Sequence, residues 1–163
     1  MPPVKDKIVR KRTLQKDKYK LKNLKFLGEF MTALGLTTTS AAQKVGLTQV
    51  SIYYWLKKDD AKLSAVENLI DKCGFILSID LIPVEQDPQS NTEIVLELPK
   101  RKRLSFLEDA LSQQDKEQVA SKLDIGFSTI YYWLEHDDIF ISYIYKIAET
   151  IGYKVKISIR PKQ

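Results

Sequence analysis

Residues 51–56 read SIYYWL, and residues 129–134 read TIYYWL. This repetition constrains the fold more than any other feature, because the likeness runs well past the hexapeptide. A shift of 78 positions aligns residues 40–83 with residues 118–161 and gives 13 identities in 44 positions. Ala42 meets Ala120, Lys44 meets Lys122, Asp59-Asp60 meets Asp137-Asp138, and Ser64 meets Ser142. Gly74, Ile79 and Pro83 meet Gly152, Ile157 and Pro161. Upstream the shift becomes 80, where Leu24, Phe26 and Leu27 match Leu104, Phe106 and Leu107. The chain is a duplication, with two extra residues in the first copy around positions 35–39. Whatever one copy folds into must form twice.

Each copy carries the same succession of signals. In the first, residues 23–34 put Leu24, Leu27, Met31 and Leu34 on one helical stripe. Ser40 is a cap for a second helix of about residues 40–45, and Gly46 suits the left-handed turn that ends it. Thr48 is a cap for a third helix reaching about Lys57. The start of a fourth falls at or just before Ser64, with its end at Cys73 and Gly74. Phe75, Leu77, Ile79 and Leu81 then alternate as the inner face of a half-buried strand. Tyr153, Val155, Ile157 and Ile159 repeat that face in the second copy, with Lys154, Lys156, Ser158 and Arg160 outward.

The expected fold is mainly α with a small β component: two tandem helical domains, each followed by a β-strand, the strands pairing about a pseudo-two-fold. The expected boundaries are a basic N-terminal arm over 1–22, a first domain over 23–83, a linker over 84–103 and a second domain over 104–163. Within the linker, TEIVLEL (92–98) has no counterpart in the repeat and reads as an extra strand or an ordered connection.

In TSAAQKVGLTQVSIYYWL, small Ala42 is followed four residues later by Gly46, then by apolar Ile52 and Trp55. A small residue lets two short helices cross closely, glycine makes the turn, and the later apolar residues anchor the next helix. This pattern resembles the helix–turn–helix of the lambda-repressor/Cro (XRE-type) superfamily, over roughly residues 24–74 and 104–152. The strand and proline that follow resemble the antitoxin-like members. The second copy departs from the pattern at Asp124, which stands where Gly46 stands in the first, with Gly126 two residues on. Aspartate tolerates the left-handed region better than most residues.

The resemblance implies that the third helix enters the major groove of DNA with its N-terminal turn. Carried onto this chain, the groove-facing set in the first copy is Thr48, Gln49, Val50, Tyr53, Tyr54 and Lys57. Thr38 falls where the family contacts the DNA backbone or supports the recognition helix. An adenine edge suits the Gln49 amide, a thymine methyl suits Val50, and phosphates suit the tyrosine hydroxyls. The matching set in the second copy is Lys116, Gly126, Phe127, Ser128, Tyr131, Tyr132 and Glu135. The exchanges Gln49 to Phe127 and Lys57 to Glu135 make it a weaker reader. Packing against neighbouring helices is the competing account of the tyrosine pairs, and core packing is the expected role of Trp55 and Trp133.

Charge placement points the same way. Residues 1–23 hold nine Lys or Arg against two Asp, whereas 24–83 balance six against six. Residues 84–103 hold four of each sign, the basic ones contiguous as Lys100, Arg101, Lys102 and Arg103; residues 104–163 hold seven basic and nine acidic. The whole excess of +5 therefore sits in the arm, where Arg10, Lys11 and Arg12 form its densest cluster. A basic arm attached to such a domain suggests a polyanion partner.

The expected function is thus a double-stranded DNA-binding prokaryotic or phage transcription regulator, a monomeric pseudo-dimer rather than a homodimer. The alternative is a protein-interaction module of antitoxin-like or phage type, with the second domain docking a protein partner. The chain reads as no enzyme: one His and one Cys give no metal cluster or nucleophile pair, and no Gly-x-x-x-x-Gly-Lys is present. Asp59-Asp60 and Asp137-Asp138 read as residues that end the third helix and cap the fourth. No metal, cofactor or membrane is expected, since no apolar run approaches the roughly 20 residues that span a bilayer. The lone Cys73 and a start without an apolar stretch fit a cytoplasmic protein.

Overall fold

A computed structural model describes residues 19–84 and 102–163, so Arg10, Lys11, Arg12, Lys100, Arg101 and the segment 92–98 lie outside the described residues. The described chain is mainly helical with a two-stranded antiparallel sheet. The order is α1 (Lys25–Ala33), α2 (Thr38–Val45), α3 (Gln49–Lys58), α4 (Leu63–Lys72) and β1 (Phe75–Pro83), then α5 (Ser105–Leu111), α6 (Lys116–Lys122), α7 (Phe127–His136), α8 (Ile141–Ile151) and β2 (Tyr153–Pro161). Among the described residues no helix is long and apolar enough to cross a membrane.

The chain divides into two compact units. The first takes the residues up to Ala61, Ala65–Ile76 and Pro161–Gln163. Its core gathers Leu24, Leu27 and Met31 of the α1 stripe with Ala41, Ala42, Ile52 and Leu56, all essentially inaccessible. Burial of each larger side chain is worth about 1.5–3 kcal/mol. Gly28 lies beneath Leu21, whose Cδ1 occupies the space a β-carbon would need. The second unit takes Lys62–Ser64 and the described residues of Leu77–Arg160. Leu104, Leu107, Leu111, Ala120 and Ile130 form the same kind of core there, joined by Ile141, Ile144 and Ile147 of α8.

Helix ends depart from expectation in two informative places. Thr37, not Ser40, caps α2: its side chain accepts from the Ser40 N–H at 3.1 Å, and Ser40 Oγ accepts from the Thr37 N–H at 2.8 Å. The two residues form a capping box, which satisfies two otherwise orphaned donors together. Asp59, Asp137 and Asp138 also do something other than cap the helix that follows in sequence. Asp59 ends α3 in the left-handed conformation (φ 56°), and its carboxylate accepts from the N–H groups of Lys22, Asn23 and Leu24 at 2.8–3.1 Å. It thereby holds the start of α1. Asp137 (φ 55°) does the same in the second unit, accepting from Arg103 at 3.0 Å and Leu104 at 2.8 Å. Asp138 does cap a fourth helix, but that of the first copy: Ser64 N–H and Ser64 Oγ donate to its two oxygens at 3.0 and 2.5 Å. The reason is the antiparallel bridge between Lys62 and Phe140, with Leu63 N–H donating to the Ile139 carbonyl at 2.8 Å, which brings the α4 start to Asp138.

The turns follow the sequence closely. Gly46 closes α2 at φ 68°, and Asp124 takes the same left-handed conformation at φ 57°. The two strands pair within the chain. Val84 N–H donates to the Gly152 carbonyl at one end and Lys162 N–H to the Gly74 carbonyl at the other. That register sets Ile79 opposite Ile157, which are equivalent residues of the repeat. Leu77 then faces Ile159 and Leu81 faces Val155, so the alternating apolar face of each strand meets its counterpart.

Candidate nucleic-acid interface

In the first unit, α2 and α3 pack across the Gly46 turn, and Thr48 sets where α3 begins. Its hydroxyl accepts from the Ser51 N–H at 3.3 Å and lies 3.0 Å from Ser51 Oγ. With Ile52 and Leu56 buried, helical spacing turns Gln49, Val50, Tyr54 and Lys57 outward. Val50 is 54% and Tyr54 48% exposed.

Thr38 and Gln49 come together. Thr38 is the first residue of α2, and Gln49 Nε2 donates to its Oγ1 at 3.3 Å. A glutamine amide has two N–H donors and one carbonyl oxygen. The bond to Thr38 uses one donor and leaves the amide a second N–H and its carbonyl oxygen. That remaining pair is what a bidentate contact with an adenine edge requires.

Aromatic and cationic groups line the rest of this face. Tyr53 and Tyr54 meet edge to face with centroids 5.7 Å apart. Lys57 Nζ stands 5.6 Å from the Tyr53 ring and Lys58 Nζ 5.5 Å from the Tyr54 ring. The spacing of each pair is i, i+4, so the Lys58 contact was available to helical periodicity although Lys58 was not among the expected residues. Tyr19 has no such local signal. It packs against Tyr53 from 34 residues upstream, at 6.2 Å, and Tyr53 is only half-exposed.

The second unit builds a different surface from the same scaffold. Gly126 precedes α7 and gives it no side-chain cap. Ile130 and Trp133 are buried, while Phe127, Ser128, Tyr131, Tyr132 and Glu135 are exposed. Phe127 and Tyr131 meet edge to face at 5.0 Å, and Lys116, in the position of Thr38, holds its ammonium 5.9 Å from the Tyr131 ring. Tyr132 lies 4.0 Å from the His136 ring. The helices also differ in charge: α3 ends in Lys57-Lys58 and has no acid, whereas α7 ends in Glu135-His136.

Of the basic cluster before the second copy, Lys102 is exposed and Arg103 is engaged. Arg103 Nη1 donates to the Asp137 carbonyl at 2.8 Å and stands 4.0 Å from its carboxylate. Arg103 therefore fastens the end of α7 to the start of α5. No protein family, curated protein or solved structure matches this chain. Its own side chains are the ground for a function.

Proposed function

We propose that the protein is a sequence-specific double-stranded DNA-binding regulator of the lambda-repressor/Cro type, with two tandem helix–turn–helix domains acting as a covalent pseudo-dimer. The observation that carries this reading is the Thr38–Gln49 bond at the exposed start of α3, which anchors the amide and leaves it a second N–H and its carbonyl oxygen for a base edge. The lysines and tyrosine hydroxyls of the same face supply groups for phosphates. Pairing of β1 with β2 in one chain satisfies that ladder without a second copy, which favours a monomer over a homodimer. The test is selection of bound duplexes from a random pool, read for one or two half-sites. Failure to enrich any duplex would remove the proposal.

Two expected results follow from it. Gln49→Ala should lower affinity for the preferred site by roughly 1–3 kcal/mol and relax specificity at one base pair, as loss of a bidentate contact does. A variant that still discriminates at every position would take Gln49 out of the reading set. Deletion of residues 1–18 should weaken binding to all sequences about equally and flatten its dependence on salt, because the arm's cations add affinity without reading bases. The cut is placed there because Leu21 and Lys22 support α1. An unchanged salt slope would exclude the arm as a phosphate clamp.

A second reading has one observation in its favour. The exposed face of α7 carries Phe127, Tyr131 and Tyr132 beside Glu135, an aromatic and partly acidic surface suited to a protein partner. Under that reading the second domain docks a protein while the first reads DNA.

A further inference from the structure

We infer that the DNA target is not a palindrome: its two halves are unlike, one read through Gln49 and the other held chiefly through a tyrosine pair. The inference rests on the proposed function and adds the kind of duplex it takes. A homodimer presents two identical recognition helices, so its operator mirrors the two-fold symmetry of the protein. A tandem duplication is free of that constraint, and this chain has used the freedom on its reading face.

The divergence reaches the reading face while the turn keeps its conformation. Ala42/Ala120 and Ile52/Ile130 are identical and buried, and Gly46/Asp124 share the left-handed conformation. The tyrosines of α3 and α7 are identical, Tyr53/Tyr131 and Tyr54/Tyr132. The side chains able to tell one base from another are not. Gln49, with an amide that can read adenine, corresponds in the repeat to Phe127, and Val50 corresponds to Ser128. Thr38, which orients Gln49, is replaced by Lys116, whose ammonium lies on the Tyr131 ring.

The two surfaces therefore have different chemistry. In the first copy, a hydrogen-bonding amide, an apolar valine and two lysines combine base reading with phosphate attraction. In the second, Phe127 offers at most contact with a thymine methyl, and Glu135 repels phosphate where Lys57 attracts it. Shared tyrosine hydroxyls position both copies on the backbone without reading sequence.

The experiment is a random-duplex selection with the full chain and with the exchange variant K116T/F127Q/S128V/E135K, circular dichroism confirming that both fold. The expected wild-type motif has one half with a defined adenine, where base substitution lowers affinity about 5-fold or more, and one half with weaker preferences. The exchange variant should convert this into an inverted repeat with adenine in both halves. A palindromic wild-type motif, or an exchange variant that selects an unchanged motif, overturns the inference while leaving DNA binding intact. Absence of any enriched duplex overturns both the inference and the proposed function.

Discussion

Trp133→Ala is expected to destabilise the protein by about 3–5 kcal/mol, the range for emptying a large aromatic site in a core. The indole is only 8% exposed and lies against the Tyr143 ring, with centroids 4.8 Å apart. Trp55→Ala should cost less, about 1–3 kcal/mol, because only part of that side chain leaves water on folding. Trp55 is half-buried although it sits in the same Ile-Tyr-Tyr-Trp-Leu block. The difference lies across the repeat: Ala65 occupies the position of Tyr143 and brings no ring to cover it. Denaturant unfolding followed by circular dichroism measures both. Equal losses for the two variants would show that Tyr143 does not set the difference.

Asp59→Ala is expected to cost about 2–4 kcal/mol, since hydrogen bonds to a charged acceptor are worth about 1.5–3 kcal/mol each and these are partly solvated. One carboxylate accepts three successive backbone N–H groups, from Lys22, Asn23 and Leu24, and Asn23 Nδ2 donates to the Asp59 carbonyl at 3.2 Å. The residue also carries φ 56°, where alanine is strained. Two companion variants separate these causes. Asp59→Gly removes the acceptor and relieves the backbone, so it should recover only the strain, roughly 1 kcal/mol. Asp59→Asn keeps one acceptor oxygen and tolerates the left-handed region, so it should fall between Asp59→Gly and the unmodified chain. Thermal melts of the three variants provide the check, and an Asp59→Gly protein as stable as the parent would rule out the carboxylate as the clasp of α1.

Much of the fold was legible because it depends on local rules read twice. The apolar stripe of α1 needs only helical periodicity, and the inner faces of β1 and β2 need only alternation. Thr48 begins α3 as a cap should, and the positive φ at Gly46 and Asp124 follows from what each residue tolerates. With Ile52 and Leu56 inward, the exposure of Gln49, Val50 and Tyr54 follows from the same spacing. The fine chemistry of the caps was less legible, since Thr37 and Ser40 are both competent and only the helix start distinguishes their roles.

By itself, then, the sequence determined that a succession of four helices and a strand would occur twice, where its turns would fall and which face of α3 would be outward. These are properties of neighbours along the chain. The tertiary structure decided matters that depend on residues far apart in it. Tyr19 shields Tyr53, while Tyr131 is 46% exposed. Asp59 clasps a helix start 35 residues upstream, and Asp138 caps Ser64 from 74 residues away. Gln49 finds Thr38 only when α2 and α3 are folded together. A carboxylate or an amide can meet many partners with the same chemistry, and packing of the apolar core selects which one it meets.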